Sequence, residues 1–163
     1  MNAAMVVRDA LPHEMDAAGA LRVAAYQADR LLDANPSYAG ALRALGTDGA
    51  GEVLVAVDGD RLLGTVMLET WHAGSEVAKG PQEAEIRALA VAPEARGRGV
   101  GTALVRAVVE RAVLRGVRAL LLSSQPAMAG AQRIYLAEGF TRRPELDWAP
   151  VPGLTLLGFG RDL

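Results

Sequence analysis

Apolar residues change their spacing along the chain in a way that separates strands from helices. Met5 to Arg8 reads as a short apolar strand. Pro12 then opens a long Ala/Leu-rich helical stretch that fades near Asn35-Pro36, because proline suits the first turn of a helix and breaks its interior. Ser37 to Leu45 predicts a second short helix, stopped by the turn cluster from Gly46 to Gly51. Glu52 to Val57 and Arg61 to Leu68 predict two strands joined at Asp58-Gly59-Asp60, whose Asp-Gly pair supplies the positive φ of a tight hairpin. Trp71 to Pro81 shows no periodicity and reads as a loop. Ala84 to Val91 alternates as a fourth strand, ended by Pro93.

The second half repeats the alternation of strand and helix. Val100, Leu104, Val105, Val108 and Ala112 form one stripe of a helix from Gly99 to Arg115, which must pack on a sheet; Gly116 stops it. Arg118 to Ser123 is a continuous apolar run, the pattern of a buried fifth strand. Ala127 to Glu138 is helical again and halted by Gly139, with Phe140 placed to fold back onto its last turn. Leu154 to Phe159 predicts a final strand, and Thr141 to Arg143 a shorter one before it. The order β-α-α-β-β-β-α-β-α-β-β is a mixed α/β sheet in a single domain over residues 1–163, with no repeat and no linker.

Composition removes whole classes of function. The chain has 163 residues, 51% of them hydrophobic and 22% charged, enough for one domain to bury roughly two thirds of its surface without covalent staples. There is no cysteine, which excludes disulfides and thiolate metal sites, and His13 and His72 stand far apart, so no metal site is expected. A net charge of -2 creates no field that would recruit nucleic acid or an anionic membrane. The longest apolar runs, such as Ala119 to Leu122, fall far short of the roughly 20 residues of a membrane span. Met1 to Met5 lacks an export pattern. A cytoplasmic location is the expectation.

With no global positive field, any anion must be bound locally, and one segment is built for that. In Val91-Ala-Pro-Glu-Ala-Arg-Gly-Arg-Gly-Val-Gly101 a strand end runs through a glycine-rich turn into a helix. Gly97, Gly99 and Gly101 leave backbone N–H groups uncovered, and the helix start adds about half a positive charge. Arg96 and Arg98 add forked donors suited to phosphate oxygens. The same residues would also serve an ordinary strand-to-helix turn. A P-loop would need a lysine before Gly101-Thr102, and a dinucleotide fold would need a G-x-G-x-x-G turn after the first strand; neither is present.

Arg96-x-x-Gly99-x-Gly101, following a Val-x-Pro strand end, resembles the acetyl-CoA diphosphate loop of the GNAT superfamily of N-acetyltransferases. Leu120-Leu-Leu-Ser-Ser124 is similar to that family's fifth strand, and Tyr135-x-x-x-Gly139-Phe140 to the end of its last helix. The likeness spans most of the chain and is strongest from Ala84 to Phe140. It departs at Met128, where many members carry an asparagine that touches the cofactor. The resemblance implies a GNAT fold: a mixed, mostly antiparallel central sheet with the fourth and fifth strands splayed, flanked by about four helices. It implies acetyl-CoA as cofactor, lying in the V between those strands. Leu89, Ala90 and Val91 would run along the pantetheine arm, with the Leu89 N–H aimed at the thioester carbonyl, where negative charge grows during attack. Arg96, Gly97, Arg98, Gly99, Val100, Gly101 and Thr102 would surround the diphosphate. A homodimer through exposed C-terminal strands, as in many relatives, is also open.

Acyl transfer to an amine needs one group to take a proton and another to supply one to the departing thiolate. Glu85 matches a place where many members of the family carry a base, and strict alternation puts it on the same face as Leu89, four residues on. The gap between an ammonium near 10.4 and a free carboxyl near 4.3 is roughly 8 kcal/mol. The whole barrier at about 10 turnovers per second is only about 16 kcal/mol. Glu85 is therefore expected to work through water on an acidified amine, or with a pKa raised by burial beside Glu83. Tyr135 stays protonated at neutral pH and is the expected donor to sulfur, as acid or as orienting group. His72, an isolated loop histidine beside Trp71, reads as surface structure. The acceptor, a small-molecule or peptide primary amine, would meet Tyr26, Asp29, Trp71 and Trp148, with Asp33 and Tyr38 nearby, through ring faces and carboxylates. The rival reading is a non-catalytic acyl-CoA sensor of the same fold.

Overall fold

The structure, a computed structural model, describes residues 5–163; the reading of Met1 to Met5 therefore falls almost wholly outside the described residues. The elements are β1 (Val6–Asp9), α1 (Met15–Ala28), α2 (Tyr38–Ala44), β2 (Glu52–Asp58), β3 (Arg61–Thr70), β4 (Glu83–Val91), α3 (Val100–Leu114), β5 (Ala119–Ser124), α4 (Ala129–Ala137), β6 (Thr141–Arg142), β7 (Trp148–Val151) and β8 (Leu154–Asp162). The sheet runs β1-β2-β3-β4-β5-β8-β6, with β7 paired to β8. Every pairing is antiparallel except β4 with β5, which is parallel.

Helices cover both faces, which explains why β2 and β3 are buried along nearly their whole length. Leu104, Val105, Val108 and Ala112 of α3 pack with Leu54, Val66, Ile86, Leu120, Phe140 and Phe159, and Tyr135 of α4 joins them. On the other face Ala18 of α1 meets Val55 and Val57. Tyr26, Leu31, Leu32 and Leu42 gather there under Tyr38 and Ala88. Alternation along β2 divides Leu54 and Val55 between these two layers.

Two local features differ from expectation, and a third, at Arg22, is seen only in the structure. The first helix stops at Ala28 rather than near Asn35, because Arg30 turns to φ +58° and the Leu31 amide bonds back to Tyr26 O at 2.8 Å. The C-terminal region holds a strand at Trp148–Val151 that its proline hid, since it lies off the main path of the sheet and pairs only with β8. Arg22 is fully buried on α1 and donates to the carbonyls of Leu42 (3.4 Å) and Leu45 (3.0 Å), closing the C-terminal end of α2.

Glu14 fastens the start of α1 to β1. Its carboxylate accepts from both Nη atoms of Arg8 at 2.8 and 2.9 Å and from the Leu11 amide at 2.8 Å. The Arg8 hydrogen bonds, then the Leu11 amide, lower its pKa to about 2. A carboxylate depressed in the folded state stabilises fully above its unfolded value near 4.3, and that contribution disappears as pH falls through about 2. Glu14→Gln should therefore lower stability at neutral pH and flatten its decline between roughly pH 5 and pH 2, as read by urea unfolding across that range.

Candidate active site

The site begins where β4 and β5 part. They pair only at Glu83↔Ala119, Ala84↔Leu120 and Glu85↔Leu121, and beyond these residues the strands lose their partnership. On its other side β4 carries a bulge. Thr65 and Met67 of β3 face Ala90 and Arg87, so two steps on β3 match three on β4, and Ala88 takes φ +55°. Ala88 and Leu89 thus lack a strand partner on either side, leaving backbone polar groups open to a ligand in the cleft.

The bulge also corrects the alternation read from sequence. Ala84, Ile86, Leu89 and Val91 all pack on the α3 side, whereas Ala88 packs with Tyr26 and Leu42 on the α1 side. Leu89 therefore does not share a face with Glu85, because one extra residue shifts the period.

A groove of about 380 Å³ occupies the cleft, lined by Leu89, Ala90, Val91, Arg96, Gly97 and Val100 on one wall and by residues 127–131, Arg133 and Ile134 on the other. Gly97 (φ +77°) and Gly99 (φ +78°, the N-cap of α3) sit in the left-handed region with open space where a Cβ would project. Their requirement is conformational, and the result is a bare backbone turn. Gly101 is glycine for another reason: a Cβ there would meet Ile134 Cδ1 at 2.7 Å. Gly99, Gly101, Thr102 and Arg98 stand outside the groove's lining, and Arg98 reaches Asp58 at 3.8 Å instead.

Asp29 lines the groove and not the smaller cavity. Its carboxylate accepts from Arg96 Nη1 at 2.8 Å, tying the end of α1 to the glycine turn. Arg133, which sequence reasoning passed over, lines the same groove and makes no ion pair among the described residues. Its exposed position on a helix is an unremarkable pattern in the sequence, so only the fold reveals it.

A second, smaller cavity of about 80 Å³ lies on the α1 side and shares Tyr26, Leu31 and Met128 with the groove. It is lined by Asn35, Tyr38, Glu76, Glu85, Arg87, Ser123 and Gln125, with Pro150, Leu154 and Leu156 as an apolar wall. Of the residues expected to meet an acceptor, only Tyr26 is at this junction, where burial pushes its hydroxyl's pKa up. Trp71 stays 41% exposed and lines neither cavity. Trp148 lines neither; its indole N–H donates to Ser123 Oγ at 3.1 Å, tying β7 to β5. His72 is held by Glu69 at 2.9 Å and accepts the Gly74 amide, so it serves the loop.

Glu85 lines the small cavity but is only 1% exposed. One of its oxygens accepts the amides of Val77 and Ala78, both at 2.7 Å, and the other receives the Glu76 amide at 3.4 Å. A carboxylate so engaged is a loop anchor. Glu76, from the aperiodic loop, is the residue that the sequence did not announce. Burial raises its pKa, Arg87 opposes, and Glu85 and Glu69 add to the rise. Tyr135 is buried with its ring 5.7 Å from Phe140 and 6.5 Å from Phe159; it stands behind the groove wall formed by its neighbour Ile134. Burial pushes its hydroxyl's pKa up, and Tyr26 is close enough to add to that.

The chain, with its half-parted sheet, bulged strand, bare glycine turn and two adjoining cavities, belongs to the acetyltransferase (GNAT) family, whose pattern it matches over residues 20–140. It is 32% identical over 140 residues to L-2,4-diaminobutyric acid acetyltransferase of Nocardia farcinica, covering 86% of this chain and 67% of that one. It is 35% identical over 121 residues to mycothiol acetyltransferase of Geodermatophilus obscurus, covering 73% of this chain but 35% of that protein, so it spans about a third of the latter's length. Among solved structures, the PaiA N-acetyltransferase of Thermoplasma acidophilum in complex with coenzyme A shares the fold with a TM-score of 0.74 at 11% identity, covering 98% and 99% of the two chains. Among the described residues no helix is long and apolar enough to cross a membrane.

Proposed function

We propose that this protein is an acetyl-CoA-dependent N-acetyltransferase that acts on a small primary amine by direct attack in a ternary complex. The observation that carries the reading is that the two cavities adjoin at Tyr26, Leu31 and Met128: a groove beside bare backbone and a small chamber bearing carboxylates share one wall. The groove suits coenzyme A because the unpartnered backbone at Leu89 lies along one wall and Gly97 of the glycine turn lines it as well. Acetyl-CoA would bring the acyl group already activated as a thioester.

The chain's own groups supply the rest. The Leu89 N–H serves as donor to the carbonyl oxygen, where attack concentrates negative charge. The small chamber is lined by two carboxylates, Glu76 and Glu85, and one guanidinium, Arg87, which favours a cationic guest. Met128 stands where the family's asparagine is common and adds an adaptable apolar contact at the junction. Tyr135 is assigned to orienting the departing sulfur, a role that requires its hydroxyl to reach past the Ile134 wall behind which it stands. Outright proton transfer from it is disfavoured, since an ordinary phenol near 10 against a thiol near 8.5 is already about 2 kcal/mol uphill. Burial widens that gap.

Thiol release from acetyl-CoA, measured with propylamine, 1,4-diaminobutane and L-2,4-diaminobutyrate, tests the reading; amine-dependent release is expected. Stabilisation by coenzyme A without release on any of them would favour a non-catalytic binder. With the best amine, Tyr135→Phe should lower kcat by roughly 10–100-fold, the value of one hydrogen bond to a charged group, at unchanged acetyl-CoA affinity. An unchanged kcat would leave Tyr135 with a packing role alone.

A further inference from the structure

We propose that Glu76 takes the proton from the acceptor's ammonium group, and that Glu85 is a positioning residue that holds Glu76 in the chamber; the inference rests on the acetyl-transfer reading above. The geometry divides the two carboxylates sharply. Glu85 points its lone pairs at the loop and satisfies the amides of Val77 and Ala78 at 2.7 Å each. Those charge-assisted hydrogen bonds, worth about 1.5–3 kcal/mol apiece, commit its oxygens to the loop. Glu76 has no such duty: its nearest cation, Arg87 Nε, lies at 3.4 Å, and its side chain lines the chamber with 26% of its surface open.

Every element around Glu76 bears on its affinity for a proton. Arg87 of β4 favours the ionised form; Glu69 of β3 and Glu85 of β4 disfavour it, as does burial, while Tyr26 on α1, whose pKa burial raises, and Tyr38 on α2 complete the lining. Arg87 is itself shared with Glu69, at 3.3 and 3.4 Å, so its hold on Glu76 is divided. Burial and two carboxylates therefore outweigh one shared guanidinium. The connection to Glu85 is direct, because the Glu76 amide itself reaches Glu85 Oε1 at 3.4 Å and the next two amides complete the clamp.

The step balances simply. One N–H bond of the bound ammonium breaks as an O–H bond forms on the Glu76 carboxylate. The neutral amine then forms the C–N bond, the C–S bond breaks, and the second proton shed by the nitrogen as it becomes an amide passes to the departing thiolate, leaving the amide and the free thiol of coenzyme A. Glu76 returns its proton to solvent through the chamber.

The pH dependence of kcat/KM separates the candidates. With Glu76 as base the ammonium form is the bound form, so the wild type should rise through the acid range and level off above neutrality. Glu76→Gln should lose about 10²-fold near pH 7. It should also keep climbing through pH 9, roughly tenfold per pH unit toward the amine's own pKa near 10.4, because only pre-formed free amine can then react. Glu76→Asp should restore the plateau in part, and coenzyme A affinity by calorimetry should be the same in all. Glu85→Gln, assayed below its melting temperature, should raise KM and keep the plateau. A Glu76→Gln profile matching the wild type, or loss of the plateau in Glu85→Gln with Glu76→Gln retaining it, overturns the assignment. A wild type that releases no thiol on any amine of the panel instead overturns acetyl transfer itself.

Discussion

Gly99→Val is expected to weaken coenzyme A binding by about 10³-fold while leaving the fold intact. Gly99 holds φ +78° at the N-cap of α3, two residues after Gly97 at φ +77°. Nothing lies within 4 Å of where a Cβ would stand, so the penalty arises in the backbone and not from a clash. An ordinary residue in the left-handed region costs roughly 1–2 kcal/mol, and a β-branched one more. The turn would relax by rotating Gly99 out of that region, which swings the neighbouring amides away from the groove. Each amide donated to a phosphate contributes about 1.5–3 kcal/mol, so the loss of two or three explains a thousandfold change. Calorimetry with coenzyme A measures it directly; wild-type affinity in this variant would place the diphosphate elsewhere.

Glu85→Ala should produce the largest loss of stability, roughly 3–6 kcal/mol. The side chain is 1% exposed, and truncation strands the amides of Val77 and Ala78 in a place water scarcely reaches. For a chain of this size each kcal/mol corresponds to about 2–4 °C, so the melting temperature should fall by roughly 10 °C or more. The same change frees the loop that carries Glu76, so acetyl transfer should fall even where the protein remains folded. Calorimetric melting that moved by less than about 3 °C would mean that the loop is held by other contacts.

Much of the scaffold could be read in advance because its determinants are local. The stripe from Val100 to Ala112 specifies α3 through periodicity alone, and the Asp-Gly turn at Asp58-Gly59 joins β2 to β3 as expected. Gly139 does end α4, at φ +90°, and Phe140 folds back with its amide on Tyr135 O at 3.0 Å. The bulge in β4 was invisible for a plain reason: its left-handed residue is Ala88, not a glycine or asparagine, and no local rule nominates an alanine. The positions of Asp29 and Trp148 share a cause, since their partners lie far along the chain, Arg96 at 67 residues from Asp29 and Ser123 at 25 from Trp148.

The order of strands and helices as far as Arg142, the bare glycine turn, the family and the tyrosine near the end of α4 were legible in the sequence alone, because backbone preference and hydrophobic period act over a few neighbouring residues. Tertiary structure decided which carboxylate faces the chamber and which one fastens the loop. That choice depends on burial and on hydrogen bonds between β4 and residues 76–78, and such terms exist only once distant segments have excluded water from between them.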